Sequence, residues 1–206
     1  MGDDLGVVQC LIGDFSGAAG TLDAGLAIAR EIGDGQSQAT ALRFLAAIGR
    51  QTGEYASAAA ALEAALVISR DLGDRQGEAV ALNYLAEVRR MTGDYPGDAA
   101  QAEASHRQAL ELAREIGSTW DEAHALAGLG RWALVAGRGA EAESFLRLSL
   151  TIFRGLGAGE AADVAAELDA LGADGEGRAG ERLRRASGLH GSGEQAPRAF
   201  GQNVFH

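Results

Sequence analysis

Eighteen arginines, twenty-nine acids, four histidines and one cysteine are the groups here that could pair, ligate or attack, and no lysine stands among them. Metal chemistry needs ligands at fixed spacings. His106, His124, His190 and His206 form neither an H-E-x-x-H pattern nor a pairing with Cys10. A Walker-type phosphate loop needs a lysine, and no G-x-S-x-G elbow is spelled. The segment LTIFRGLGAGEAADVA sets Gly155, Gly157 and Gly159 as a dinucleotide turn would, but Leu150, Ile152 and Arg154 repeat Leu110, Leu112 and Arg114, so these glycines read as a helix stop. Arg30, Arg70, Arg114 and Arg154 each stand three residues before a glycine. They could form an anion-binding stripe, but last-turn arginines more simply complement the helix dipole and pair with nearby acids. No catalytic constellation, metal or cofactor is expected.

The elements that would position such groups follow from a repeat. Glycine recurs at Gly13, Gly33, Gly53, Gly73 and Gly93, then, after one longer interval, at Gly117, Gly137 and Gly157. Two contexts alternate: IGDF, TGEY and TGDY in one, AREIGD, SRDLGD and AREIGS in the other. The spacing predicts pairs of helices, each ended by a glycine able to adopt the left-handed conformation. One column holds Leu26, Leu66, Leu110 and Leu150, preceded by Gly25, Ala65, Ala109 and Ser149. Another holds Leu5, Leu45, Leu85 and Leu129, with Leu42, Leu82 and Leu126 three residues upstream of the last three. Leucines at i and i+3 beside small residues give an apolar helix face that a neighbouring helix can approach closely. The 43 alanines therefore serve helix contacts and the repeating glycines serve as punctuation.

L-x-x-L-[AG] in the first helix, G-[DE]-[FY] at the turn, Ala18 and Ala58 three residues beyond the aromatic, and [GAS]-L in the second helix resemble the tetratricopeptide repeats. The longer period is similar to that of kinesin light chains and of the C-terminal sensor arrays of bacterial NB-ARC or STAND-type regulators. The resemblance implies an all-α, TPR-like α-solenoid of antiparallel helix pairs in a right-handed superhelix. Its units cover about 1–33, 34–73, 74–117 and 118–157, with a terminal helix over 158–171. It also implies a protein- or peptide-binding scaffold whose first helices line a concave face. Carried over position by position, that face holds Arg43, Ala47 and Arg50, then Asn83, Glu87 and Arg90, then Ala127, Arg131 and Leu134. Arg43, Arg50, Asn83, Glu87, Arg90 and Arg131 are the candidate partner-binding residues. Asn83 would bond a peptide backbone and the arginines would take carboxylates in fork geometry. The lysine- and asparagine-rich carboxylate clamp of chaperone-binding members is not reproduced. A receptor for a signalling peptide or small ligand, and a self-association module, are the alternatives.

Departures from the pattern are informative. The first unit lacks its opening turn, which predicts a longer array or a later start. Four extra residues in GDYPGDAAQAEASH lengthen one helix by about a turn and set His106 where other units have Leu22, Leu62 and Leu146. Trp120 and Trp132 read as packing residues, and Tyr55 and Tyr95 as wedges. Residues 173–206, rich in glycine and arginine, read as a mostly disordered tail. A net charge of −11 argues against nucleic-acid binding. No apolar run of membrane-spanning length occurs, and residues 1–12 contain two aspartates and no basic group, so a cytoplasmic setting is expected.

Overall fold

Among the described residues each predicted helix stop is also the next helix start. The computed structural model of the chain describes residues 15–92 and 96–172, excepting the side chains of 92 and 96–100. It contains α1 (Phe15–Ile32), α2 (Gly35–Thr52), α3 (Tyr55–Leu72), α4 (Arg75–Thr92), α5 (Pro96–Ile116), α6 (Thr119–Val135) and α7 (Gly139–Leu156). An eighth helix, α8, runs over 160–172. At Gly73 the backbone turns left-handed at φ 68°, and the Asp74 N–H donates back to the Ser69 carbonyl at 2.8 Å. Asp74 then caps the next helix, its Oδ1 accepting from the Gly77 N–H at 2.8 Å. Asp34 caps α2 and Ser118 caps α6 in the same way. Gly13 and Gly93, the first unit's opening helix and the tail over 173–206 lie outside the described residues.

The chain divides into a unit of residues 1–168 and a second over 169–206, of which almost nothing is described. Within the first, consecutive helices pack as antiparallel pairs, and the first helices α2, α4 and α6 also touch one another in series. The second helices α3, α5 and α7 do not pack so closely, so the first helices form the tighter, inner layer. Leu22, Leu62 and Leu146 are fully enclosed, and Leu26, Leu66, Leu110 and Leu150 are buried beside Ala65, Ala109 and Ser149. Each such leucine contributes about 2 kcal/mol by leaving water. The last turn of the repeat is closed by α8, where Val164 packs with Leu146, Leu150 and Phe153.

The insertion lengthens α5 to 21 residues where α3 and α7 have 18. His106 takes the leucine site with only 2% of its surface exposed. Tyr55 opens α3 and packs against the cluster of Leu62, Leu85 and Val88, as a wedge should. In the arginine column Arg70 meets Glu78 at 2.8 Å and Arg114 meets Glu122 at 2.7 Å, in each case an acid eight residues on.

Several expectations need correction. Asn83 and Ala127 are buried rather than displayed, because α4 and α6 pack side by side and their facing residues fill the seam. Trp120 is 44% exposed. Its ring rests edge-on against Phe153 at 5.9 Å and beside His124 at 5.1 Å, so it packs on one side only.

Candidate functional site

The inner layer carries a cavity of about 390 Å³ where the third unit meets the fourth. From α4 it takes Gln76, Val80, Asn83, Tyr84 and Glu87, and from α6 Trp120, Asp121, His124, Gly128 and Arg131. Both sets follow the i, i+4, i+7/8, i+11 spacing of one helix face. Arg50 reaches in from the end of α2, and His106 enters from α5. Three successive first helices thus contribute to one recess.

Its inner end depends on two coupled departures from the repeat. Gly128 stands in the column of Phe44 and Tyr84, the residues just before Leu45 and Leu85, as Gly128 precedes Leu129. A Cβ built on Gly128 would run into the His106 ring. The missing aromatic at 128 is therefore what admits an imidazole at 106.

The imidazole is held in one form. Asn83 Nδ2 donates to the Asp121 carbonyl at 3.3 Å, which turns Asn83 Oδ1 toward His106 Nδ1 at 3.2 Å. An amide oxygen can only accept, so Nδ1 carries the proton and Nε2 presents a lone pair. That Nε2 is buried and has no hydrogen-bond partner. Burial lowers the His106 pKa to about 4, with Glu87 opposing and Arg131 and Arg90 assisting, so the ring is neutral near pH 7. Burial also lowers the pKa of His124.

The charged residues are mostly engaged. Arg90 forks onto Glu87 through Nε and Nη2 at 2.9 and 2.8 Å. Burial pushes the Glu87 carboxyl up, but Arg90's hydrogen bonds and the charges of Arg90 and Arg131 outweigh it and hold Glu87 below its ordinary pKa. Arg131 clasps Glu167 of α8 at 2.8 to 3.1 Å. Arg43 sits 4.0 Å from Asp74, and burial lowers its pKa. Arg50 is different: its Nε is buried without a hydrogen-bond partner, and no acid among the described residues pairs with it.

Of the six residues expected on the binding face, Arg50, Asn83, Glu87 and Arg131 line the cavity; Arg90 braces Glu87 from behind, and Arg43 lies outside. Asn83 already engages one N–H and its Oδ1 inside the protein, which leaves its second N–H and a second Oδ1 lone pair for a bond to a peptide backbone. Tyr84, Trp120, His124 and Gly128 were not singled out for the site. The signal for Gly128 was available, as a glycine standing where two other units have an aromatic ring. Among the described residues no cluster of His, Cys, Asp and Glu could hold a metal ion, and no helix is long and apolar enough to cross a membrane.

Solved structures share the architecture. BtubC (BKLC) from P. vanneervenii superposes with a TM-score of 0.69 at 21% identity, over 98% of this chain and 84% of that one. The kinesin light chain TPR-like repeats of Podosopora anserina give 0.65 at 16%, over 95% of this chain and 96% of that one. A Signal Transduction ATPase with Numerous Domains (STAND) protein with a tetratricopeptide repeat sensor, from Pyrococcus horikoshii, gives 0.68 at 17%, over 91% of this chain but 30% of that one. No protein-family model and no curated protein matches the sequence. The fold is an all-α, TPR-like solenoid.

Proposed function

We propose that this TPR-like solenoid is a non-catalytic scaffold that holds a protein or peptide partner against its inner helix layer. It would act as the sensor or interaction part of a bacterial, cytoplasmic regulatory protein. The observation that carries the reading is the recess built by α2, α4 and α6 together, with Arg50 at its edge as a cation that no acid among the described residues pairs with. Arg90 and Arg131 are already held by Glu87 and Glu167. The STAND protein with a tetratricopeptide repeat sensor supports the regulatory part by likeness of fold. An isolated, partly buried guanidinium favours a carboxylate-bearing ligand, because a charge-assisted fork replaces hydrogen bonds that water supplies poorly there.

The test is a peptide array probed with the full chain and with Arg50→Glu. Acidic peptides held by the wild type and released by the variant are the expected result. An unchanged set of retained peptides in Arg50→Glu would remove the inner layer as the binding face.

A further inference from the structure

We infer that the recess between the third and fourth units is a binding site for a small organic anion: a flat ring with a carboxylate at one end and an O–H or N–H donor at the other. The inference goes beyond peptide capture and does not require it. Three observations define the ligand. At the inner end, the Asn83 amide fixes the proton of His106 on Nδ1, leaving Nε2 as a buried acceptor without a partner. A buried acceptor left unmatched costs free energy that an incoming donor recovers, so the ligand must bring a proton to share. At the α2 side, Arg50 is the lining cation that no acid among the described residues neutralises, so the same ligand gains from an anionic group. Tyr84 and Trp120, 40% and 44% exposed, line the same recess and offer ring faces and edges to a flat body.

The lining offers a cation less. Glu87 is paired with Arg90, and Asp121 is 4% exposed with its carboxylate accepting the Ser118 hydroxyl, so neither acid stands open to an ammonium group as Arg50 stands without an acid among the described residues. A volume of about 390 Å³ falls in the range of sites that enclose small molecules. The site is peculiar to this boundary of the repeat. The leucine column supplies Leu22, Leu62 and Leu146 elsewhere, and the glycine at 128 replaces the aromatic seen at Phe44 and Tyr84.

Calorimetric titration of the full chain at pH 7 with three probes tests this. 4-Hydroxyphenylacetate has both end groups, phenylacetate lacks the donor, and 4-hydroxybenzyl alcohol lacks the anion. The first should bind, and each of the others should bind about tenfold or more weakly, one hydrogen bond or ion pair being absent in each. His106→Leu installs the residue that the other units carry and so should fold. It should erase the preference for 4-hydroxyphenylacetate over phenylacetate while keeping the preference for the anion. Arg50→Gln should do the reverse. Absence of binding by 4-hydroxyphenylacetate, equal affinity for all three probes, or preferences that survive in both variants would overturn the assignment. The peptide array stands or falls separately, because it reads peptide retention and not these probes.

Discussion

The second and third units meet across the same helix faces as the third and fourth, yet one boundary is a filled core and the other is a recess. At the first, Leu62 is fully enclosed with Ala46, Leu85 and Val88, and Tyr84 occupies the aromatic column. At the second, His106 replaces leucine, Gly128 replaces the aromatic, and the Asn83 amide ties the imidazole to the Asp121 carbonyl through its two ends. The backbone scheme is the same in both, with a left-handed glycine, a capping Asp or Ser and a buried leucine column. A solenoid thus tolerates a polar interior at one seam because each unit contacts only its neighbours, and the cost stays local.

Exchanging features between the two seams should have unequal effects. The largest is expected for Leu62→His, which puts an imidazole where the column opposite keeps Tyr84 and no amide is placed to receive it. Overpacking and an unmatched polar ring together should cost about 4 kcal/mol in urea denaturation at pH 7. A loss below about 1 kcal/mol would mean that the two seams are equally permissive.

Acid should separate the seams next. The His106 pKa of about 4 in the folded state lies below the ordinary histidine value of 6.5. The unfolded chain therefore binds the proton first, and the contribution of His106 is complete above pH 6.5 and lost as pH falls toward 4. The difference amounts to about 3 kcal/mol. His124, also lowered, acts in the same direction. Glu87, Arg90 and Arg131 are the charged groups acting on the ring, and the carboxyl of Glu87 is held below its ordinary pKa, so it stays ionised through most of this window. Stability measured from pH 7 to 4 should fall less steeply in His106→Leu than in the wild type. An equally steep fall would assign the acid response to other groups.

A smaller effect is expected for Gly128→Ala, whose Cβ meets the imidazole: about 2 kcal/mol of destabilisation. Combined with His106→Leu, it should cost at least about 1 kcal/mol less, because the two sites share one space. Strict additivity would show that the ring can move aside.

Much of this was readable from residue spacing. The stops at Gly33, Gly53, Gly73, Gly117, Gly137 and Gly157 all adopt positive φ, and the four-residue insertion lengthens α5 without moving His106 off the leucine column. These are properties of one chain segment repeated in register. The burial of Asn83 was not readable, since nothing in α4 alone says that a carbonyl at Asp121 and a ring at His106 will meet its amide. Nor was the clasp of Arg131 on Glu167, which joins residues 36 apart in sequence. Helical periodicity shows which residues share a face. It does not show which face a neighbouring helix will cover.

What sets the recess apart is a neutral His106 whose acceptor nitrogen has no hydrogen-bond partner among the described residues. A ¹⁵N NMR titration of the histidine side chains of the full chain reads this directly. The expected result is a neutral ring at pH 7 with the proton on Nδ1 and Nε2 unprotonated, titrating near pH 4. A protonated ring at pH 7, or a neutral ring with its proton on Nε2, would contradict it.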